Sequence, residues 1–379
     1  MKNNKFKLLT TLFFLVLFTN LSAATGTGEF VKEINRSFPL SMDGQVELSN
    51  KYGRINIRTW DKEEVKIDVK IVVQSRDEDE ANEVFDRISI NFYDTDDLVK
   101  AYTEIGTNGS KSSWWGWLKS WGNDSREFKI YYEVVMPYQA DLSTEARYCD
   151  VRATDLSGDT KWNVKYGALV AGHLNNQADV TIGYGSAEIA KISGEAKFDI
   201  SYSELEVDEA AMVKLRARYS EIDIDKANNV DLDARYSEVQ LGASKEVIVD
   251  AGYGDVDIES ATVVRANSNY TSYEIGNVTE EVDIDTDYGN VEVGPLAPGF
   301  RLVRVRGGYS SIDVRIDRTA GYSVDLNSTY AGIDYPEGLD LTRKEKDGNT
   351  NKIIGTKAGK GKGRVEITSR YGGIDVREY

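Results

Sequence analysis

One phrase recurs along this chain and fixes what it can fold into: a tyrosine, a Gly or Ser, one residue, an aliphatic, one residue, an aliphatic. It reads Tyr184-Gly-Ser-Ala-Glu-Ile, Tyr202-Ser-Glu-Leu-Glu-Val, Tyr219-Ser-Glu-Ile-Asp-Ile, Tyr236-Ser-Glu-Val-Gln-Leu and Tyr253-Gly-Asp-Val-Asp-Ile. From Tyr148 to Tyr309 the tyrosines step by 18, 18, 18, 17, 17, 17, 17, 18 and 21 residues. A constant period of this size belongs to repeat architectures, in which each unit is completed by its neighbours. Within a unit, Val230, Leu232 and Ala234 share one parity with Asp231, Asp233 and Arg235 between them, the alternation of a half-buried strand. The parity breaks at Ser237-Glu238 and resumes at Val239 and Leu241, so two short strands meet at a corner beside each tyrosine. Gly and Ser suit a tight corner.

A unit this short makes one coil of a parallel β-solenoid, hydrogen-bonded to the next coil at about 4.8 Å. The expectation is an all-β, single-stranded parallel solenoid, a right-handed β-helix because no hexapeptide period is visible. The tyrosines have the parity of the buried residues, which predicts an aromatic ladder with packed rings and hydroxyls reaching water.

The first residues read as a secretory signal, 1–24: Lys2, Lys5 and Lys7, then an apolar run from Leu8 to Phe18, then Ser22-Ala23-Ala24. That run is shorter than the roughly 20 residues that span a bilayer. Removal of the three lysines takes the formal charge from −17 to −20. So acidic a chain is a poor partner for nucleic acid or an anionic membrane. Cys149 is the only cysteine, so no internal disulfide can form. The expected address is export: periplasm, outer surface or medium.

The repeat domain, 25–379, begins early, because Tyr52-Gly-Arg-Ile-Asn-Ile is already a copy of the phrase. An insertion at about 75–136 interrupts it and is expected to cap the N-terminal end. Within it, Ala81, Val84, Phe85 and Ile88 have helical spacing, with acids in the first turn, predicting one short amphipathic helix over Asp77–Ile88. Trp114, Trp115, Trp117 and Trp121 follow among Gly, Ser and Lys, the tip of a hairpin leading to Phe128–Met136. That tip folds back as a cap or presents aromatic side chains to a sugar, a protein or a membrane interface. Near the other end, Thr342–Gly363 reads as a flexible basic loop. The last repeat, Gly372–Tyr379, is expected to leave a bare strand edge open to a partner.

Four residues after the tyrosines lies an outward acidic column, Glu188, Glu206, Asp223, Asp257, Glu274, Glu292, Asp313, Asp334 and Asp375, interrupted by Gln240. A second column, two residues after, holds Glu204, Glu221, Glu238 and Asp255. Stacked like charges favour a divalent cation, and oxygen-only ligands suit Ca²⁺, with Asp223, Asp255 and Asp257 the candidate ligands. The alternative is a solvated face kept charged for solubility. No cofactor is indicated. His173, the one histidine, has no partner pattern, and Cys149 occupies a corner slot as a small packed residue. No catalytic set stands out.

The recurrent phrase, the segment Tyr52-Gly-Arg-Ile-Asn-Ile-Arg-Thr-Trp60 and the Trp hairpin before Val134-Val135-Met136-Pro137 resemble the putative-adhesin, β-strand-repeat family of unknown function common in Bacteroidota. The resemblance covers roughly residues 30–379 and implies a secreted or envelope solenoid with no catalytic residues to carry over. The function expected is a non-enzymatic adhesion or interaction surface. A carbohydrate-active β-helix enzyme and a periplasmic scaffold or sensor are the alternatives.

Overall fold

The computed structural model describes residues 28–106 and 127–379. The expected signal segment and Trp114, Trp115, Trp117 and Trp121 lie outside the described residues. What is described is nearly all β and solenoid-like, with one α-helix, Glu78–Phe85. No helix among the described residues is long and apolar enough to cross a membrane.

The repeat stacks in register. Strand Glu204–Arg218 pairs parallel with Glu221–Arg235 over both of its halves, Leu205 against Ile222 and Val213 against Val230. The next coil continues it, Ile222 against Val239 and Val230 against Val247. Identical positions in successive units are therefore neighbours in space, as the period demands. Inward residues of one coil, Leu205, Val207, Ala210, Val213, Leu215 and Ala217, are all buried, while Glu204, Glu206, Asp208, Lys214 and Arg216 between them are exposed. One apolar column lies between two charged faces.

The N-terminal end is closed by antiparallel strands. The second half of Gln45–Trp60 has Asp141–Ala153 on one side and Glu127–Pro137 on the other, both parallel. Beyond Glu127–Pro137 come Glu64–Ser75 and then Gly28–Pro39, both antiparallel. The first half pairs with Leu98–Ile105, and beyond that Ile88–Asp94 runs antiparallel. The predicted helix is present: Asp77 caps it by accepting the Glu80 N–H at 2.9 Å, and Ala81, Val84 and Phe85 are buried.

The C-terminal end corrects two expectations. Leu302–Gly307 pairs with Lys360–Ser369, which pairs in turn with Ala320–Thr329. The last repeat in the sequence thus lies between two earlier ones, and Ile374 and Asp375 are paired on both sides. Glu378 is held by the Tyr322 hydroxyl at 2.8 Å and by Lys357. The final strand is therefore not a bare edge waiting for a partner. Nor is Thr342–Gly363 a loop: Asp340–Asp347 and Thr350–Lys357 form an antiparallel hairpin laid on Ala320–Thr329. Alternation is weak there because Asp340–Asp347 is exposed throughout, so its strand pattern cannot be read from burial. Its charges blunt the outer edge.

Candidate functional site

The corner of the coil is the most unusual part of the molecule. Thirteen tyrosines stack there in the order 52, 148, 166, 184, 202, 219, 236, 253, 270, 288, 309, 371 and 330, with ring centroids 4.5–5.2 Å apart and planes within 11° of parallel. Twelve steps of about 4.8 Å make a ladder roughly 58 Å long. The predicted ladder exists, but its rings are not packed in the core: from Tyr166 onward they are 40–56% exposed. The reason is the backbone. Eleven of the thirteen have φ between 51° and 66°, the left-handed region that side chains other than glycine seldom take. That turn throws the ring out of the parity set by the strand before it.

Two sets of hydrogen bonds hold the turn. The tyrosine N–H donates to the next coil: Tyr202 to the Arg218 carbonyl at 2.9 Å, Tyr219 to that of Arg235 at 3.0 Å, Tyr236 to that of Gly252 at 2.9 Å. Where serine follows the tyrosine, at Ser203, Ser220 and Ser237, it forms a second ladder. Ser220 Oγ donates to the Arg218 carbonyl at 2.8 Å and accepts the Ser203 N–H at 3.3 Å; Ser237 Oγ does the same for Arg235 and Ser220 at 2.9 and 3.2 Å. Where glycine replaces serine there is no room for a side chain: a Cβ at Gly185 would run into the Gly167 carbonyl oxygen. Cys149 fills the same slot after Tyr148. It is buried against Asn50 Nδ2, and burial pushes its thiol up to about 12, so it stays protonated and unreactive.

Because the rings stack face to face, the ladder offers hydroxyls and ring edges outward, while its faces are spent on one another. Sugar rings and cations prefer faces. Its flanks differ in charge. Lys51, Arg147, Lys165, Arg218, Arg235 and Arg370 stand immediately before tyrosines, a signal readable in the sequence but missed there. The guanidinium carbons of Arg147 and Arg370 lie 5.5 and 5.4 Å from the ring centres of Tyr148 and Tyr371. On the other flank stand Asp150, Glu204, Glu221, Glu238 and Asp255.

The acidic columns are in register as expected, Glu188 beside Glu206 beside Asp223, and Glu274 beside Glu292 beside Asp313. Desolvation, then neighbouring carboxylates including Glu188 and Asp223, hold Glu206 above the usual carboxylate range. Asp223 is raised by desolvation and then by Asp225, and Asp375 by desolvation and then by Asp334. A shallow groove of about 510 Å³ runs across this face, lined by Asp223, Asp225, Asp257, Glu259, Glu274 and Arg315 among others. Asp223 and Asp257 both line that groove but stand two coils apart, with Gln240 in the coil between them, and Asp255 lies in the neighbouring hollow with Glu238. Among the described residues no three His, Cys, Asp or Glu side chains come together in a group that could hold a metal ion. His173 is exposed, and its backbone N–H donates to Asp155 Oδ1 at 2.9 Å.

No family model matches the chain, and no curated protein matches it. Solved structures similar to it include one described as a putative cell adhesion protein from Clostridium sporogenes, 11% identical over 92% of this chain and 100% of that one, with a TM-score of 0.19. Another is described as a putative adhesin from Parabacteroides distasonis, 14% identical over 75% and 93%, with a TM-score of 0.26. A third, from the same organism, is described as a putative lipid binding protein, 10% identical over 92% and 96%, with a TM-score of 0.23. The adhesin descriptions agree with the family resemblance noted from the repeat. At these TM-scores the likeness carries no argument about ligand or activity.

Proposed function

We propose that this chain is an exported, non-enzymatic β-solenoid, its coil single-stranded and right-handed, whose repeat face serves as an adhesion or interaction surface. One observation carries the reading: the stack lays the same outward carboxylate side by side in coil after coil, from Glu188 to Asp375, interrupted once by Gln240. Such a surface is multivalent. It suits contact with an extended cationic partner, through many weak ion pairs, better than capture of one small substrate. Trp114, Trp115, Trp117 and Trp121 belong to the proposal as a second contact, and calcium as a cation held by the column as a whole.

The test has two parts. Protease added to intact cells digests the protein, with periplasmic markers spared, when it is displayed outside. Protection overturns adhesion and leaves a periplasmic scaffold. Beads coated with the purified chain then bind a cationic surface, and Glu206→Gln with Asp223→Asn and Asp257→Asn weakens that binding. Undiminished binding by this variant removes the acidic face from the reading.

A further inference from the structure

We infer that the tyrosine ladder is the seam of a parallel two-fold dimer, in which each rung meets the same rung of a second copy and the basic flank of one chain lies on the acidic flank of the other. This goes beyond the adhesion reading and does not depend on it.

The argument starts from what the ladder leaves unsatisfied. Half-exposed phenol tips in an unbroken ribbon form a long amphipathic surface, and tyrosine is enriched where proteins meet. Among the described residues, Arg218, Glu204, Glu221 and Glu238 make no ion pair, although Arg216 beside them pairs with Asp199 and Asp233. These four charges beside the ladder are thus free of ion pairs within the chain.

Geometry then selects the partner. Only a second copy carries a ladder of identical period along its whole length, so only it can match every rung. A contact between like surfaces is isologous, with a two-fold axis in the contact plane. If that axis ran across the ladder, each flank would face itself, setting Glu204, Glu221, Glu238 and Asp255 against a column of the same carboxylates. If it runs along the ladder, opposite flanks meet rung by rung. Arg147 then faces Asp150, Arg218 faces Glu221 and Arg235 faces Glu238, each twice by symmetry. At the rungs of Tyr184, Tyr270 and Tyr309 the facing residues are Gly183 and Ser186, Asn269 and Ser272, and Gly308 and Ser311, which leave room for close approach. Like charges meet only at the first rung, Lys51 against Arg54. Some of these groups already have contacts within the chain: Arg235 with Asp233 and Asp250, and Asp150 with the Ala168 N–H. Those are surface contacts that still leave charge facing outward. A seam about 58 Å long and about 10 Å wide covers roughly 600 Å² on each copy, or roughly 1,200 Å² in all, the lower end of the range for specific complexes.

Sedimentation equilibrium of the mature chain tests this. The wild-type chain is expected to be a dimer at micromolar concentration and to dissociate as salt rises. R218E/R235E sets acid against acid and E221R/E238R sets base against base, so each variant alone loses at least about 100-fold in dimer affinity. Mixed in equal amounts, the two restore a dimer, because residues 218 and 221, and 235 and 238, again face one another with opposite sign. A wild-type chain that stays monomeric, a dimer indifferent to both reversals, or a mixture that remains monomeric overturns the proposal. Circular dichroism of each variant guards against misfolding. Cysteines placed on distant rungs test the axis without altering charge: Tyr166→Cys and Tyr288→Cys each cross-link to themselves under mild oxidation in a parallel seam, whereas an antiparallel seam allows one at most. Cys149 is buried and does not compete.

Discussion

A tyrosine with φ near 53°, as at Tyr202 and Tyr236, is held there against its own preference, at a cost of about 1–2 kcal/mol. Stacking on two neighbours returns about 0.5–1.5 kcal/mol for each contact, and the N–H bond to the next coil adds to that. The two sides can be separated at Tyr219. Tyr219→Ala keeps the strained backbone and loses both stacks, so we expect it to destabilise the fold by about 1–3 kcal/mol. Tyr219→Gly loses the same stacks but relieves the backbone, and should prove more stable than the alanine variant by about 1 kcal/mol. Denaturant unfolding of both decides it: alanine equal to or better than glycine would mean the turn is not what resists the side chain. Beside it, Ser220→Ala leaves the Ser203 N–H without its acceptor in a buried corner and should cost about 1–3 kcal/mol. At this scale the sequence announced the ladder and misplaced its rings. Parity extends a strand's alternation through Tyr236, but a single left-handed residue ends that alternation, and φ leaves no trace in a hydrophobic pattern. The serine in Ser203, Ser220 and Ser237 was legible as a small corner residue, and its hydrogen bonds between coils were not.

At the scale of the element, one coil repeats its errors as faithfully as its contacts. Stacking in register places Glu206 between Glu188 and Asp223, and desolvation, followed by these neighbouring carboxylates, raises its pKa. A folded state that holds a proton more tightly than the unfolded chain gains stability below the ordinary carboxylate pKa and loses it as pH rises through the raised value. Glu206→Gln removes that loss. The variant should melt above wild type at about pH 7 and level with it at about pH 3.5. Wild type melting higher at neutral pH would show that the column is stabilising as charged. Glu195 and Glu209 shift the opposite way, lowered by hydrogen bonds to Lys197 and Lys214 and to Lys191, so they set a floor on the low-pH side. The terminal elements hid their order. The phrase at Tyr371 is a correct copy, and nothing in it says that its coil lies between those of Tyr309 and Tyr330, because pairing between identical units is decided by the connections and not by the strands. Placement has a consequence for truncation. In a sequential stack, removal of the last coil exposes one surface. Here, a stop after Lys357 takes out an internal coil and parts the terminal hairpin from the stack, so it should lower the melting temperature and cause aggregation, whereas loss of Tyr379 alone should do neither. A soluble, equally stable protein ending at Lys357 would contradict the observed strand order.

Across the whole molecule the balance of charge opposes the fold that displays it. A formal charge of −17 is carried by a protein whose acidic columns run along a single face, where repulsion between neighbours of about 1 kcal/mol per pair in water adds along the stack. Surface ion pairs offset part of it, as at Arg377, which bridges Asp313 and Asp375, but such pairs are individually weak. Screening should therefore stabilise the protein. Raising sodium chloride from about 0.02 to 0.5 M shortens the Debye length from roughly 20 to 4 Å, below the spacing of adjacent coils, and the melting temperature should rise. The measurement belongs on the R218E/R235E form, so that association along the ladder does not enter. Calcium and magnesium separate a diffuse field from a site. With no group of three ligands assembled among the described residues, the column acts on cations through its summed potential, and the two ions should raise the melting temperature alike and without saturation at one equivalent. A calcium response that magnesium does not share, saturating at an integral stoichiometry, would require carboxylates such as Asp223 and Asp257 to close around one ion. The groove they line would then become a metal centre instead of an open acidic surface.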